Sequence, residues 1–196
     1  LKGHLLSGLN TDGVPSILKN TVYTFDYNNL KQFNSIINNH KISAVMMEVS
    51  RNYQPKNDFL KQVRKITKKK NITLIFDECT SGFRQAYGGL HKHYGIKPDM
   101  AIFGKSLGNG YPITAIIGNN KVMKYAQSSF ISSTFWSERS GYVAALKTLE
   151  IMKKKKAWKQ ITSKGNYIRK RWGELSKKYN LDIDILGIPA ISIFNF

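Results

Sequence analysis

With 196 residues, 41% hydrophobic and 12% aromatic, the chain is long enough for one substantial core, or for one domain and part of a second. The formal net charge of +19 raises the question of a nucleic-acid partner, but zinc-finger spacing and an RNP-like aromatic strand are both missing. A single cysteine excludes an intrachain disulfide and a cysteine-rich metal site and fits a reducing, cytoplasmic setting, while no apolar run approaches the roughly 20 residues that span a bilayer. The lysine runs at 68–70, 153–156 and 177–178 fall near the ends of expected helices, where cations complement the helix dipole and stay solvated. The expectation is a soluble globular protein with no nucleic-acid and no membrane partner. The opening Leu1-Lys2-Gly3-His4 is neither a signal peptide nor an initiator methionine, so the chain is expected to be an internal fragment of something longer.

In chain order, Leu30, Phe33, Ile36 and Ile37 recur at helical spacing within 28–39. Residues 42–47 read as a buried strand ending at Glu48. Asn57 is expected to cap a helix running to about residue 69, with Phe59, Leu60, Val63 and Ile66 inward. A strand at 73–76 ends at Asp77, and a loop punctuated by Gly82, Gly88 and Gly89 leads to a short helix near 90–94. His91 and His93 lack metal-ligand spacing and are expected to be exposed. Strands follow at 100–103 and 113–117, then long helices at 137–154 and 158–179, and Gly187-Ile188-Pro189 breaks the chain before a last strand at 191–196. The alternation predicts an α/β architecture, a three-layer sheet with helices on both faces, followed by the start of a C-terminal α+β domain. The boundary is expected near residue 152, giving units of 1–152 and 153–196.

Glu48, Asp77 and Lys105 fall just past successive strand ends, where open α/β sheets bind ligands. An acid at a strand end, followed one βαβ-like unit later by a lysine in a glycine-rich loop, suggests pyridoxal phosphate chemistry. The acid keeps the pyridine nitrogen protonated and the amine carries the cofactor as a Schiff base. A rival exists, because a hydrophobic run ending in Asp77-Glu78 imitates a Walker B strand and Gly104-Lys105-Ser106 the end of a Walker A loop. It fails on the residues: the position that must be the first P-loop glycine is Asp99, and the two motifs stand in reversed order.

The stretch Leu74-Ile75-Phe76-Asp77-Glu78-Cys79-Thr80-Ser81-Gly82-Phe83-Arg84 resembles the class III aminotransferases, as do Gly88-Gly89, Gly95-Ile96-Lys97-Pro98-Asp99 and Phe103-Gly104-Lys105-Ser106-Leu107-Gly108-Asn109-Gly110-Tyr111-Pro112, with Gly118. The flavour is that of the glutamate-1-semialdehyde aminomutase branch, and the likeness runs from about Gly13 to the C-terminus. The resemblance implies the fold of the pyridoxal-phosphate-dependent transferase large domain, with pyridoxal 5'-phosphate as cofactor and small-molecule amine and carbonyl substrates. It implies that Asp77 pairs with the pyridinium nitrogen, and that Lys105 carries the cofactor and shuttles a proton between substrate and cofactor. Cys79 stands where the family has a small apolar residue on the cofactor ring, and is expected to be a buried, inert thiol. Thr134 matches the threonine that reaches the phosphate of the neighbouring subunit's cofactor, which implies a homodimer with shared sites; a helix-capping role is the alternative. Glu48 is either a site residue or a plain strand-end carboxylate, and for Arg84 a structural ion pair is expected over substrate binding.

The sequence departs from the family pattern in several places. The phosphate-binding turn would lie before Leu1, Leu1-Lys2-Gly3-His4 does not reproduce the Tyr-His-Gly motif, and the small domain is cut at Phe196. After Thr134 the usual Ser-Gly-Asn-Pro is replaced by Trp136-Ser137-Glu138-Arg139. The resemblance implies a transaminase, with the aminomutase that makes 5-aminolevulinate as the alternative. A basic nucleic-acid-binding module is the non-enzyme alternative. With phosphate cup and small domain missing, the chain alone is expected to be inactive.

Overall fold

A computed structural model describes residues 10 and 12–196. The stretch Leu1-Lys2-Gly3-His4 lies outside the described residues. The chain divides into two compact units, Leu1–Ile42 and Ser43–Phe196.

In the first unit, helix α1 covers Leu30–Asn39. Asn29 caps it, its side chain accepting from Gln32 N at 3.0 Å. The expected stripe faces inward: Phe33 and Ile37 are buried, and Phe25 meets Phe33 edge to face at 5.1 Å.

The second unit is built on a four-stranded sheet of β1 (Ala44–Glu48), β2 (Thr73–Asp77), β3 (Met100–Phe103) and β4 (Ala115–Gly118), in that order. The first three strands are parallel and β4 is antiparallel to β3. Because side chains alternate along a strand, Val45, Met47, Leu74, Phe76, Ala101 and Phe103 share one face, and all six are buried. Each large side chain buried there contributes about 1.5–3 kcal/mol. Met46, Ile75, Met100, Ile102 and Ile116 share the other face, which is only partly covered.

Helix α2 (Phe59–Lys69) packs against β2 through Phe59, Leu60, Val63 and Thr67, while Lys68 and Lys69 sit in its last turn. Asn57 is not its cap. Asn57 and Asp58 both adopt left-handed backbone, and Asp58 at the cap position makes no side-chain capping bond. Asp99, in the loop before β3, ties α2 to the sheet. Its carboxylate accepts from Arg64 Nη1 at 2.6 Å and Nη2 at 3.1 Å, from Leu74 N at 2.9 Å and from Asn119 Nδ2 at 3.0 Å. Burial alone pushes this carboxyl up, but the Arg64 and Leu74 hydrogen bonds, Arg64's charge and Asn119 outweigh it and hold Asp99 below the usual carboxylate range.

The short helix α3 (Asn120–Met123) follows β4, and α4 (Ser140–Lys155) packs Ala145 against Phe83, Ala101, Phe103 and Leu107. Helix α4 starts three residues later than its hydrophobic pattern suggests; Arg139 at the cap position makes no side-chain capping bond, and Glu138 before it reaches forward to the first N–H groups of the helix. The Glu138 carboxylate accepts from Ser140 N at 2.9 Å, Ser140 Oγ at 2.5 Å and Gly141 N at 3.3 Å, and its pKa lies below the usual range, chiefly through the Ser140 hydroxyl.

One left-handed residue, Lys156, separates α4 from α5 (Ala157–Tyr179). Helix α5 presses Gly165 against the Pro189 carbonyl, leaving no room for a Cβ. Beyond it, β5 (Asp184–Leu186) and β6 (Ile193–Asn195) form an antiparallel pair. Arg169 on α5 fastens that hairpin by donating to the Leu186 and Gly187 carbonyls, both at 3.0 Å, and Trp172 packs edge to face on Phe194. Strand β5 is unpredicted because three residues are too few to show alternation.

Candidate functional site

Parallel pairing sets Glu48 of β1 directly beside Asp77 of β2, and Asp77 beside Ile102 of β3. Gly104 and Lys105 follow β3 by one and two residues. Three chemistry-bearing strand ends are thereby gathered at one edge, as the spacing predicts.

Asp77 is half-buried, and its Oδ1 accepts from Cys79 N at 2.9 Å, a local turn that fixes the carboxylate plane. Its other oxygen accepts no hydrogen bond among the described residues. Lys105 has left-handed backbone, φ 43°, a conformation costly for a side chain with a Cβ, and its amine donates to Thr80 Oγ1 at 3.0 Å. At the preceding Gly104 a Cβ would lie 2.6 Å from Cys79 Sγ, so the chain passes the thiol there at a position without a side chain. Cys79 is half-buried and unpaired.

These groups share one electrostatic field. Burial pushes the Glu48 carboxyl above its usual range; Arg51 opposes that, the Asp77 charge adds to it, and Lys105 opposes it more weakly. Arg51 itself stands 3.8 Å from Glu48, a loose and largely exposed pair.

The loop after β2 is held from beneath. Glu78, fully buried, accepts from Ser81 Oγ at 2.5 Å and from the backbone N–H groups of Leu90 and His91, both at 2.9 Å, and contacts His91 Nδ1 at 2.8 Å. A buried carboxylate needs such partners, and four of them are supplied here. This corrects the expectation of an exposed His91, whose side chain is only 14% accessible; His93 is exposed. The signal was present in strand alternation: if Asp77 faces the site, Glu78 must face inward. Arg84 also departs from expectation. Its Nε donates to the Thr80 carbonyl at 2.6 Å, a backbone staple rather than an ion pair.

Thr134 lies in an exposed turn, and no contact among the described residues joins it to Asp77, Cys79 or Lys105. Its neighbours Phe130, Phe135 and Trp136 are 98%, 75% and 59% exposed. Among the described residues no cluster of His, Cys, Asp and Glu suits a metal, and no helix is long and apolar enough to cross a membrane.

The comparisons with known proteins agree with one another. The family described as aminotransferase class-III matches residues 5–191. The chain belongs to the class III aminotransferases. It is 31% identical to the 3-aminobutyryl-CoA aminotransferase of Cloacimonas acidaminovorans, covering 94% of this chain and 47% of that protein. It is also 31% identical to the glutamate-1-semialdehyde 2,1-aminomutase of Methanococcoides burtonii, with the same coverage. This class III chain thus spans about half the length of the curated relatives it matches. Among solved structures, an omega-transaminase from Sphaerobacter thermophilus superposes with a TM-score of 0.83 at 25% identity, over 91% of this chain and 43% of that one. The FumI protein of Sphingopyxis sp. MTA144, solved in its PLP internal aldimine form, gives a TM-score of 0.82 at 25% identity, over 88% of this chain and 44% of that one. The α/β fold, with its parallel-rich sheet, is therefore that of the class III transaminases.

Proposed function

We propose that the whole protein carrying this chain is a pyridoxal-phosphate-dependent aminotransferase, moving an amino group between an amine or amino acid and a carbonyl acceptor. The observation that carries this is the pairing at one sheet edge of an amine, Lys105, with a carboxylate, Asp77, that keeps one oxygen open. The residues present fit the cofactor. The open oxygen of Asp77 would accept from a ring N–H, and the Lys105 amine would be the covalent anchor. When bound, pyridoxal phosphate supplies an electron sink that eases loss of a proton from the substrate carbon bearing the amine. Asp77 would hold the ring nitrogen protonated, and the Lys105 amine would take and return that carbon-bound proton as general base and acid.

In this reading the enzyme is a homodimer, Thr134 of the partner subunit binding the cofactor phosphate. The exposure of Phe130, Phe135 and Trp136 beside Thr134 supports it, since such side chains gain by being covered. Residues 1–152 form most of the large domain and 153–196 the start of the C-terminal one; the left-handed turn at Lys156 and the packing of α5 against Pro189 beside the last hairpin support that division. The lysine-rich surface stays solvated with no nucleic-acid or membrane partner, and the free thiol of Cys79 fits a cytoplasmic enzyme. The second reading, glutamate-1-semialdehyde 2,1-aminomutase, is supported by the relatives that carry that name at about 30% identity.

The test is a cofactor trap on the whole protein. Pyridoxal phosphate is loaded, the adduct reduced with borohydride, and the modified peptide mapped by mass spectrometry. An adduct on Lys105, absent in Lys105→Ala, is the expected result. A folded protein with no adduct, or binding to nucleic acid that weakens steeply with salt, would overturn the reading.

A further inference from the structure

The geometry points to Thr80 as a positioning residue for Lys105: its hydroxyl is the dock that receives the lysine amine whenever that amine is not covalently engaged. The inference rests on the aminotransferase reading, in which Lys105 must be released and re-engaged in every turnover. A lysine has four rotatable side-chain bonds, and holding it in one place opposes up to about 2 kcal/mol of rotamer entropy. Lys105 is an exposed residue, so packing does little to hold it. Two features do. Its backbone is set at φ 43°, which aims the side chain from an unusual direction, and its amine donates to Thr80 Oγ1 at 3.0 Å.

The dock is itself rigidly mounted. The Thr80 carbonyl accepts from Arg84 Nε at 2.6 Å. The next residue, Ser81, is bonded to the buried Glu78 carboxylate, and Gly82 N donates to the Glu78 carbonyl at 2.8 Å. Both sides of Thr80 are thus fastened to the base of the turn, while its hydroxyl is spent on the lysine. Asp77 is fastened to the same turn through Cys79 N, so the dock and the acid share one frame. A hydroxyl both accepts and donates, so it can hold the amine with or without its extra proton. That is the requirement for a group that takes up and gives back a proton.

The experiment compares wild type, Thr80→Val and Thr80→Ser in the whole protein. Cofactor-free protein is mixed with pyridoxal phosphate, whose aldehyde condenses with the Lys105 amine with loss of water. Borohydride quenches the reaction at intervals, and the Lys105 adduct is counted by mass spectrometry. Thr80→Val, which keeps the shape and removes the hydroxyl, is expected to slow loading on the order of tenfold, the factor one hydrogen bond carries. Thr80→Ser is expected to load within about twofold of wild type by the same accounting. In turnover, Thr80→Val should lower kcat by a similar factor with KM for the amine donor unchanged. Loading of Thr80→Val at the wild-type rate overturns the inference, and so does an equal loss in Thr80→Ser, because the hydroxyl is then not the agent. Wild type that forms no Lys105 adduct at all removes the aminotransferase reading instead, so the two failures are distinguishable.

Discussion

Residues 78–91 and residues 128–139 are both irregular, and each lies beside or contains a residue assigned to the cofactor, yet they are built in opposite ways. The first is folded around a buried carboxylate, with Ser81, Leu90 and His91 all bonded to Glu78 and Arg84 stapled to Thr80. The second leaves Phe130, Phe135 and Trp136 in the open, and its ordered feature is the Glu138 cap that starts α4. The first segment is therefore folded around a buried group, whereas the Thr134 segment is held by short-range turn bonds such as Trp136 N to the Ser133 carbonyl and leaves its apolar side chains exposed. That is the pattern expected if one segment works within its subunit and the other is completed by a partner.

The contrast is broken most directly at Glu78. Glu78→Ala strands the Leu90 and His91 N–H groups and should destabilise the chain by about 3–5 kcal/mol in urea unfolding. A loss below about 1 kcal/mol would mean the turn does not depend on it. Asp77→Asn tests the chemistry that the turn supports, and should cut kcat of the whole enzyme by roughly 10²–10³ with little change in Tm. A parallel Thr134→Val should cost less in kcat, its loss falling on retention of the cofactor, measured as the pyridoxal phosphate released on dialysis of the whole enzyme.

Asp99 tests whether the sheet beneath the site is held by polar ties as well as by its core. Arg64→Met should cost about 2–3 kcal/mol at neutral pH, because it leaves a partly buried carboxylate without its cation. The folded pKa of Asp99 is depressed, so the stability it contributes is present above the ordinary carboxylate range and disappears as pH falls through that range toward the folded value. The gap between wild type and Arg64→Met should accordingly close in acid, and a gap independent of pH would assign the loss to packing.

At the exposed segment, Phe130→Ser should change single-chain stability by no more than about 0.5 kcal/mol. It should weaken self-association of the whole protein, measured by sedimentation; an unchanged dimer would remove Phe130 from the interface. The smallest effect is expected at Glu48. Its pKa is raised by burial, so ionised Glu48 costs stability above that raised value, and Glu48→Gln should stabilise by under about 1 kcal/mol after solvent screening. The gain should vanish as pH falls toward the ordinary carboxylate range.

The difference between local and long-range information explains what was legible. Strands β1, β2 and β3, helices α1, α2, α4 and α5, and the placing of Glu48, Asp77 and Lys105 at strand ends follow from hydrophobic period and loop composition, which act over a few residues. The antiparallel direction of β4 and the existence of β5 do not, because each depends on a partner strand. Cap geometry was misjudged at Asn57, where backbone conformation overrode a good capping residue.

By itself, then, the sequence determined the long helices, the strands that carry the site, and which acid and amine end up at one sheet edge, since alternation and spacing are properties of neighbouring residues. Tertiary structure alone decided that His91 is drawn in to the Glu78 carboxylate, that Arg84 staples a carbonyl instead of an acid, and that Thr80 receives the Lys105 amine. Each of those outcomes depends on which desolvated group meets which partner across the fold, and no local pattern encodes that choice.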